Sequence, residues 1–194
     1  MLAGLKLPTD PRWVNLADRN IEEILTDHAY CEQKAATNCI TIIQMFPEFD
    51  DVVDALMPIV TEEWGHFRMV VDQLKKRNMN LGRQRRDEYV NQLQALIIQG
   101  GSREHQIVER LLVAALIEAR SCERFRLLSV DISDDELKEF YRKLMISEAG
   151  HFRLFLDLAL AILPKAQVMA RWEEYLGKEA EIIQNMEVRG DRVH

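Results

Sequence analysis

The sequence is poor in the features that mark several common protein classes. Its 194 residues include three cysteines, Cys31, Cys39 and Cys122. That is too few and too scattered for a disulfide framework, and the odd number suits a reducing compartment. No Cys-x-x-Cys pair occurs, nor a glycine-rich phosphate loop, a Ser-His-Asp arrangement or an alternating strand pattern. No run of about 18 apolar residues is present, so no membrane-spanning helix and no membrane partner are expected. The opening Met1-Leu2-Ala3-Gly4-Leu5-Lys6-Leu7-Pro8 is too short and interrupted for a signal peptide, and the expected location is the cytoplasm. With 47% hydrophobic and 29% charged residues, what remains is an ordinary globular chain. Its length suits one domain spanning residues 1–194.

What the sequence does contain is a repeated motif. Glu62-Glu63-Trp64-Gly65-His66-Phe67-Arg68 returns as Ser147-Glu148-Ala149-Gly150-His151-Phe152-Arg153, with five of seven positions identical. On a helix, a Glu and a His three apart project from one side, so each copy offers a carboxylate oxygen and an imidazole nitrogen to a common point. The neighbours on that side are apolar: Ile59, Val60, Phe67 and Val70 in one copy, Leu144, Met145, Phe152 and Phe155 in the other. An ionised carboxylate buried there costs several kcal/mol unless a positive charge compensates it.

Helical bundles that hold two metals combine two Glu-x-x-His helices with one further Glu from each of two others. Glu32 lies 31 residues before Glu63, and Glu118 lies 30 before Glu148. Glu32 shares its face with His28, Ala29, Ala35, Ala36 and Cys39, and Glu118 shares its face with Leu111, Ala114, Ala115, Cys122 and Phe125. The chain therefore reads as two halves, each a helix with Glu followed by a helix with Glu-x-x-His. Four carboxylates would be neutralised by two divalent ions. A single Glu-x-x-His is a weak signal; two, each preceded at nearly equal distance by a Glu on an apolar face, form a candidate dimetal set of Glu32, Glu63, His66, Glu118, Glu148 and His151.

Helix boundaries follow from caps and breakers. Residues 1–19 form a lead-in with a short helix capped by Asp10 and begun by Pro11. Asn20 with Glu23 resembles a capping box opening a helix over about 21–45, which Pro47 ends. A second spans about 50–77, with Pro58 marking a kink or a fresh start, most simply a helix junction. A connecting helix covers about 86–98, and Gly100-Gly101 end it. Ser102 caps a helix over about 103–129, and Ser133-Asp134-Asp135-Glu136 is a capping box for one over about 134–163. A last helix runs over about 165–187 with Trp172 and Leu176 packed inward, before a polar tail, about 188–194, expected to fray. The fold class is all-α, a four-helix bundle with additional helices.

Carboxylate-rich sites with one imidazole per ion suit iron or manganese better than zinc, and iron is taken first. Glu63 and Glu148 would bridge, Glu32 and Glu118 would be terminal, and each His would bind one ion. Six protein ligands leave positions open on the metals. Cys39 and Cys122 read as small buried hydrophobes, with thiolate ligation as the alternative. Tyr141 and His28 read as satisfied core polar groups, with a supporting role behind the ligands as the alternative.

Net charge is −7, yet residues 75–86 hold six basic side chains and no acidic one, leaving −13 for the rest of the chain. Screening limits distant charges to roughly 8–10 Å, so such a run can hold phosphates despite an acidic whole. A solvated loop is the plainer reading.

Taken with the segments Pro8-Thr9-Asp10-Pro11-Arg12-Trp13, Asp27-His28-Ala29-Tyr30-Cys31-Glu32-Gln33-Lys34-Ala35-Ala36 and Glu118-Ala119-Arg120-Ser121-Cys122-Glu123-Arg124-Phe125, the chain resembles the tRNA 2-methylthio-N6-isopentenyladenosine hydroxylases, a branch of the ferritin-like di-iron proteins. The resemblance covers nearly the whole length. It implies a ferritin-like fold, two iron ions, O2 as co-substrate, tRNA as partner and an electron-donating reductase. The implied reaction is hydroxylation of the isopentenyl group on a modified adenosine beside the anticodon. Lys75, Lys76, Arg77, Arg83, Arg85 and Arg86 are the residues expected to meet tRNA phosphates. Alternatives on the same bundle are ferritin- or rubrerythrin-like iron oxidation or peroxide detoxification, and a di-iron oxygenase acting on a small molecule. Oligomeric state does not follow from the sequence.

Overall fold

A computed structural model describes residues 4–193. Among these it contains seven helices and no strand: α1 (Arg12–Asp18), α2 (Ile21–Met45), α3 (Asp50–Lys76), α4 (Glu88–Ala95), α5 (Arg103–Asp131), α6 (Asp135–Ile162) and α7 (Lys165–Asn185). The first three residues of the expected lead-in, which open the stretch read as lacking a signal peptide, and His194 of the expected tail lie outside the described residues. Among the described residues, no helix is long and apolar enough to cross a membrane. The described residues group into two compact units. One holds Trp13–Arg86 with Arg189–Val193, and the other holds Asp87–Val188 with the segment that ends at Arg12.

In the first unit α2 and α3 pack as a hairpin. Asn20 stands at the N-terminus of α2 without a side-chain cap bond. Instead, its amide donates to Leu16 O at 2.7 Å, closing the end of α1. The expected capping box is therefore not formed, and Glu23 pairs with Arg85. Pro58 lies inside an unbroken α3, so the expected junction there does not occur. Asn78 ends α3 at φ 56°, with its N–H bonded to Lys75 O and that of Met79 to Leu74 O. This is the left-handed cap that Asn tolerates better than most residues.

Two residues of the tail are bonded to the first unit. Trp13 Nε1 donates to Arg192 O at 3.1 Å, Val193 N donates to Asp27 Oδ2 at 2.8 Å, and Val193 is fully buried. Gly190 is required here, because a Cβ would sit 2.2 Å from the Leu16 carbonyl carbon.

In the second unit α5 packs on α6, and α4 and α7 pack against this pair. Gly100 and Gly101, at φ 88° and 82°, turn the chain into α5, where Ser102 accepts from His105 N. Asp134 rather than Ser133 caps α6, accepting from Leu137 N at 3.0 Å. Trp172 and Leu176 are buried, and the Trp172 ring lies 5.9 Å from that of Phe152.

Arg120, fully buried on α5, uses its fork of donors to gather separate segments. It bonds Glu179 on α7 (2.8 Å), Leu7 O (2.9 Å), Thr9 Oγ1 (3.2 Å) and Glu123. Thr9 in turn donates to both Glu123 oxygens, at 3.0 Å from N and 2.6 Å from Oγ1, and Tyr89 OH donates to Glu179 at 3.2 Å. Nearby, Arg171 holds Glu109 through two bonds of 2.7 and 2.8 Å.

Candidate metal centre

The motif residues sit where helical spacing aims them. On α2, Glu32 is 4% exposed, and His28, one turn earlier, is fully buried with Nε2 at 2.5 Å from Glu32 Oε1. On α3, Glu63 and His66 are 1% and 7% exposed. His66 Nδ1 lies 3.3 Å from Glu63 Oε2 and 3.4 Å from Glu32 Oε2. Glu32, Glu63 and His66 each present one donor atom, all within 4.8 Å of one another.

The second unit repeats this. Glu118 on α5 and Glu148 and His151 on α6 are all buried, and their donor atoms also lie within 4.8 Å of one another. His151 Nδ1 is 3.8 Å from Glu148 Oε2. The flanking apolar residues divide: Ile59, Val70, Leu144 and Phe155 are buried, whereas Val60, Phe67, Met145 and Phe152 are half-buried at the edge of the face. Ala35 is likewise half-buried, while Ala29 and Ala36 are enclosed.

The donor chemistry separates these carboxylates from the other buried ones. Glu109, Glu123 and Glu179 are each held by an arginine. Within ligand distance of one another in each triad stand carboxylate oxygens and an imidazole nitrogen, the set a divalent ion would gather. Two carboxylates and one imidazole per triad fit iron or manganese. The two donor sets include neither Cys39 nor Cys122. Burial, and then the charge of Glu63, push the Cys39 thiol up to about 12, and burial, and then Glu148, push Cys122 up to about 11. Cys122 Sγ donates to Met145 O at 3.4 Å instead. Tyr141, fully buried, packs its ring 5.4 Å from Phe125.

The basic run is not a loose loop. Asn80 N bonds Glu22, Gly82 N bonds Thr26, and Tyr30 OH bonds Gly82 O, all fastening it along α2. Lys75, Lys76, Arg83 and Arg86 are exposed. Arg77 is half-buried and donates to Gln73 Oε1 at 2.6 Å. Arg85 is held by Glu23 and by Asp191 at 2.6 Å, a clamp for the tail.

The buried network about Arg120 and the tail anchor escaped sequence reading. The available signal for the first was Arg120, with Glu123 and Arg124 three and four positions on, among the apolar residues of α5.

Seven helices carrying two Glu plus Glu-x-x-His triads in their interior define an all-α, ferritin-like protein with two carboxylate–imidazole donor sets. Comparison with known proteins narrows this class. A solved structure, Protein 43 with aldehyde deformylating oxygenase activity from Synechococcus, superposes with a TM-score of 0.92 at 33% identity, covering 98% of this chain and 94% of that one. The family tRNA-(MS[2]IO[6]A)-hydroxylase (MiaE) matches residues 1–194, and the chain belongs to it. The tRNA 2-(methylsulfanyl)-N(6)-isopentenyladenosine(37) hydroxylase of Pseudomonas putida is 34% identical over 186 residues, 94% of this chain and 88% of that protein. The Salmonella typhimurium hydroxylase of the same name is 26% identical, covering 94% and 84%.

Proposed function

We propose that this protein is a di-iron monooxygenase of the cytoplasm that uses O2 to hydroxylate the isopentenyl group of 2-methylthio-N6-isopentenyladenosine in tRNA. Residues 1–194 act as one ferritin-like domain, in which Glu32, Glu63, His66, Glu118, Glu148 and His151 hold two iron ions. The observation that carries this reading is the pair of buried triads, each a carboxylate–carboxylate–imidazole set within 4.8 Å, in a chain of the hydroxylase family.

Bound iron supplies what no side chain here can, activation of O2 toward an unactivated C–H bond. The overall change is R–H + O2 + 2 e⁻ + 2 H⁺ → R–OH + H2O, so two electrons enter from a reductase. The chain's own contribution is positional. Carboxylates are presented from rigid helices, His28 fixes Glu32, and the surrounding Ala29, Ala36, Leu144 and Phe155 exclude water. At the surface Lys75, Lys76, Arg77, Arg83 and Arg86 attract the phosphates; Arg85 contributes through the field while clamped.

A second reading, oxidation of a small aldehyde, is favoured by the activity of the Synechococcus protein. Nucleoside mass spectrometry after a single turnover separates the two. Anaerobically iron-loaded protein receives reductant, O2 and tRNA bearing the prenylated, methylthiolated adenosine. The expected result is one added oxygen atom on that nucleoside, absent without iron or O2. No addition by protein whose iron does become oxidised would sink the tRNA reading, and product from an aldehyde would establish the other.

A further inference from the structure

The basic run does not account for one surface feature of α3. Trp64 lies within the Glu-x-x-His motif, next to buried Glu63, yet is 47% exposed. Its ring stacks on that of Phe67, with centroids 4.8 Å apart and planes at 22°. The other two tryptophans, Trp13 and Trp172, are 1% and 3% exposed, so burial is the rule for this residue in this fold. Phe67 backs the indole, and about half of the Trp64 surface meets solvent. An indole fixed in this way is a stacking surface.

The cations around it form a line. Arg68 and Lys75 follow Trp64 at i+4 and i+11, which places all three on one stripe of the helix, and all three are exposed. At about 1.5 Å per residue the stripe is about 16 Å long, enough for several stacked nucleotides at about 3.4 Å each. The next residue after Lys75, Lys76, is exposed as well. The acids nearby are Asp72, 3.7 Å from Lys75, and Glu62, which is directed toward His66 at 3.9 Å. An apolar ring followed by cations along one stripe matches an unpaired polyanion whose bases have flat faces. A wholly apolar partner would leave Arg68 and Lys75 desolvated.

We propose that Trp64, backed by Phe67, is the stacking platform for an unpaired base of the RNA substrate, with Arg68 and Lys75 taking the phosphates that follow it. This rests on the tRNA reading above and deepens it. The level of Trp64 along α3 is that of Glu63, so a strand stacked there is in register with the motif that holds metal. Stacking on an aromatic side chain tolerates any base, so the platform selects for single-stranded loop over duplex rather than for a sequence.

The test uses the full iron-loaded chain and two labelled RNAs of equal length, a hairpin with an unpaired loop of seven nucleotides and a blunt duplex, titrated by anisotropy. The wild type should prefer the hairpin. Trp64→Ala should weaken hairpin binding on the order of tenfold or more, with Trp64→Phe restoring most of it and iron content unchanged. Arg68→Gln and Lys75→Gln should each flatten the salt dependence by about 0.7 in log–log slope. Hairpin binding should also shield the Trp64 emission from iodide. Equal hairpin affinity for wild type and Trp64→Ala would overturn the platform and leave the tRNA reading standing. Failure of the wild type to bind either RNA would overturn both. A Trp64 already shielded from iodide without RNA, in an oligomer that Trp64→Ala dissociates, would assign the stripe to a second copy of the chain and overturn the proposal.

Discussion

His28 Nε2 lies 2.5 Å from Glu32 Oε1, one turn apart on α2, with the imidazole fully buried. The bond leaves Glu32 Oε2 directed to the other side, 3.4 Å from His66 Nδ1. His28 thus fixes which oxygen of Glu32 is presented to the donor set. Partners of this kind typically tune metal affinity 10–100-fold. His28→Ala is expected to lower iron retention against a competing chelator by about that factor with its helix content intact. Retention equal to wild type would reduce His28 to a core residue.

The triads pack carboxylates together in the interior, where their mutual repulsion is relieved further when a divalent cation joins them. Neutralising one member should therefore act in opposite directions on the two forms of the protein. Glu148→Gln is expected to abolish product and lower bound iron, while leaving the metal-free protein as stable as wild type or about 1–4 kcal/mol more stable. Glu63→Ala and His151→Ala should likewise lose iron and product. Melting curves with and without iron, beside metal analysis, check this. A metal-free Glu148→Gln protein that melts well below metal-free wild type would mean that the carboxylate has another buried partner.

The triads were legible in the sequence because helical spacing is local. Glu63 with His66 and Glu148 with His151 share a face by virtue of three-residue separation alone, and the apolar neighbours announced that the face was buried. The starts of α5 and α6 were legible for the same reason, although the cap of α6 fell on Asp134 rather than Ser133. What failed depended on distant partners. Asn20 and Glu23 spell a capping box, yet Glu23 is claimed by Arg85, some 60 positions later in the chain, and Asn20 turns back to Leu16. Pro58 spells a break, but an α3 packed on α2 is held as one helix by its tertiary contacts, which override local propensity. The polar tail spelled disorder, and no local rule reveals that Asp27 and Trp13 await it.

Arg120 offers a direct measure of what holds α7, α4 and the N-terminal segment to α5. Removing its guanidinium leaves Glu123 and Glu179 buried with Arg124 as the neighbouring cation. Arg120→Met is expected to cost about 3–5 kcal/mol in urea unfolding at neutral pH. The triple change of Arg120→Met with Glu123→Gln and Glu179→Gln should recover part of that loss if the excess negative charge left beside Arg124 is its main source. If the triple variant is less stable than the single, hydrogen bonding rather than charge balance governs the cluster.

The thiols give a test of burial that is independent of metal. With Cys39 pushed up to about 12 and Cys122 to about 11, each by burial first and then by a neighbouring carboxylate, almost no thiolate exists at pH 8. Alkylation requires thiolate and access. Half-buried Cys31 should therefore be carboxymethylated first, and peptide mass spectrometry should find Cys39 and Cys122 unmodified until the fold opens. Early labelling of Cys122 would show that α5 and α6 part readily in solution.

The tail anchor carries a pH signature whose sign follows from Asp191. Hydrogen bonds from Arg189 lower its pKa, burial opposes this in part, and the charges of Arg192, Arg189 and Arg85 add to the lowering. A carboxylate depressed on folding contributes stability that is present above its unfolded value, about 3.9, and is lost as pH falls through the lower folded value. Asp27, which accepts from Val193 N and lies 3.7 Å from Arg192, holds the same segment. Hydrogen-exchange protection of the Val193 amide should therefore hold from neutral pH down to about pH 4 and then fall, ahead of the amides in the middle of α5. Asp191→Asn should lower that protection already at neutral pH, and Gly190→Ala should do so more strongly, because its added methyl meets the Leu16 backbone. Since Arg85 belongs to the basic run and is held by both Glu23 and Asp191, releasing the tail removes one of its two acidic partners. RNA affinity should then rise in Asp191→Asn and fall in Arg85→Gln, whereas an affinity unchanged in both would confine Arg85 to clamping the tail.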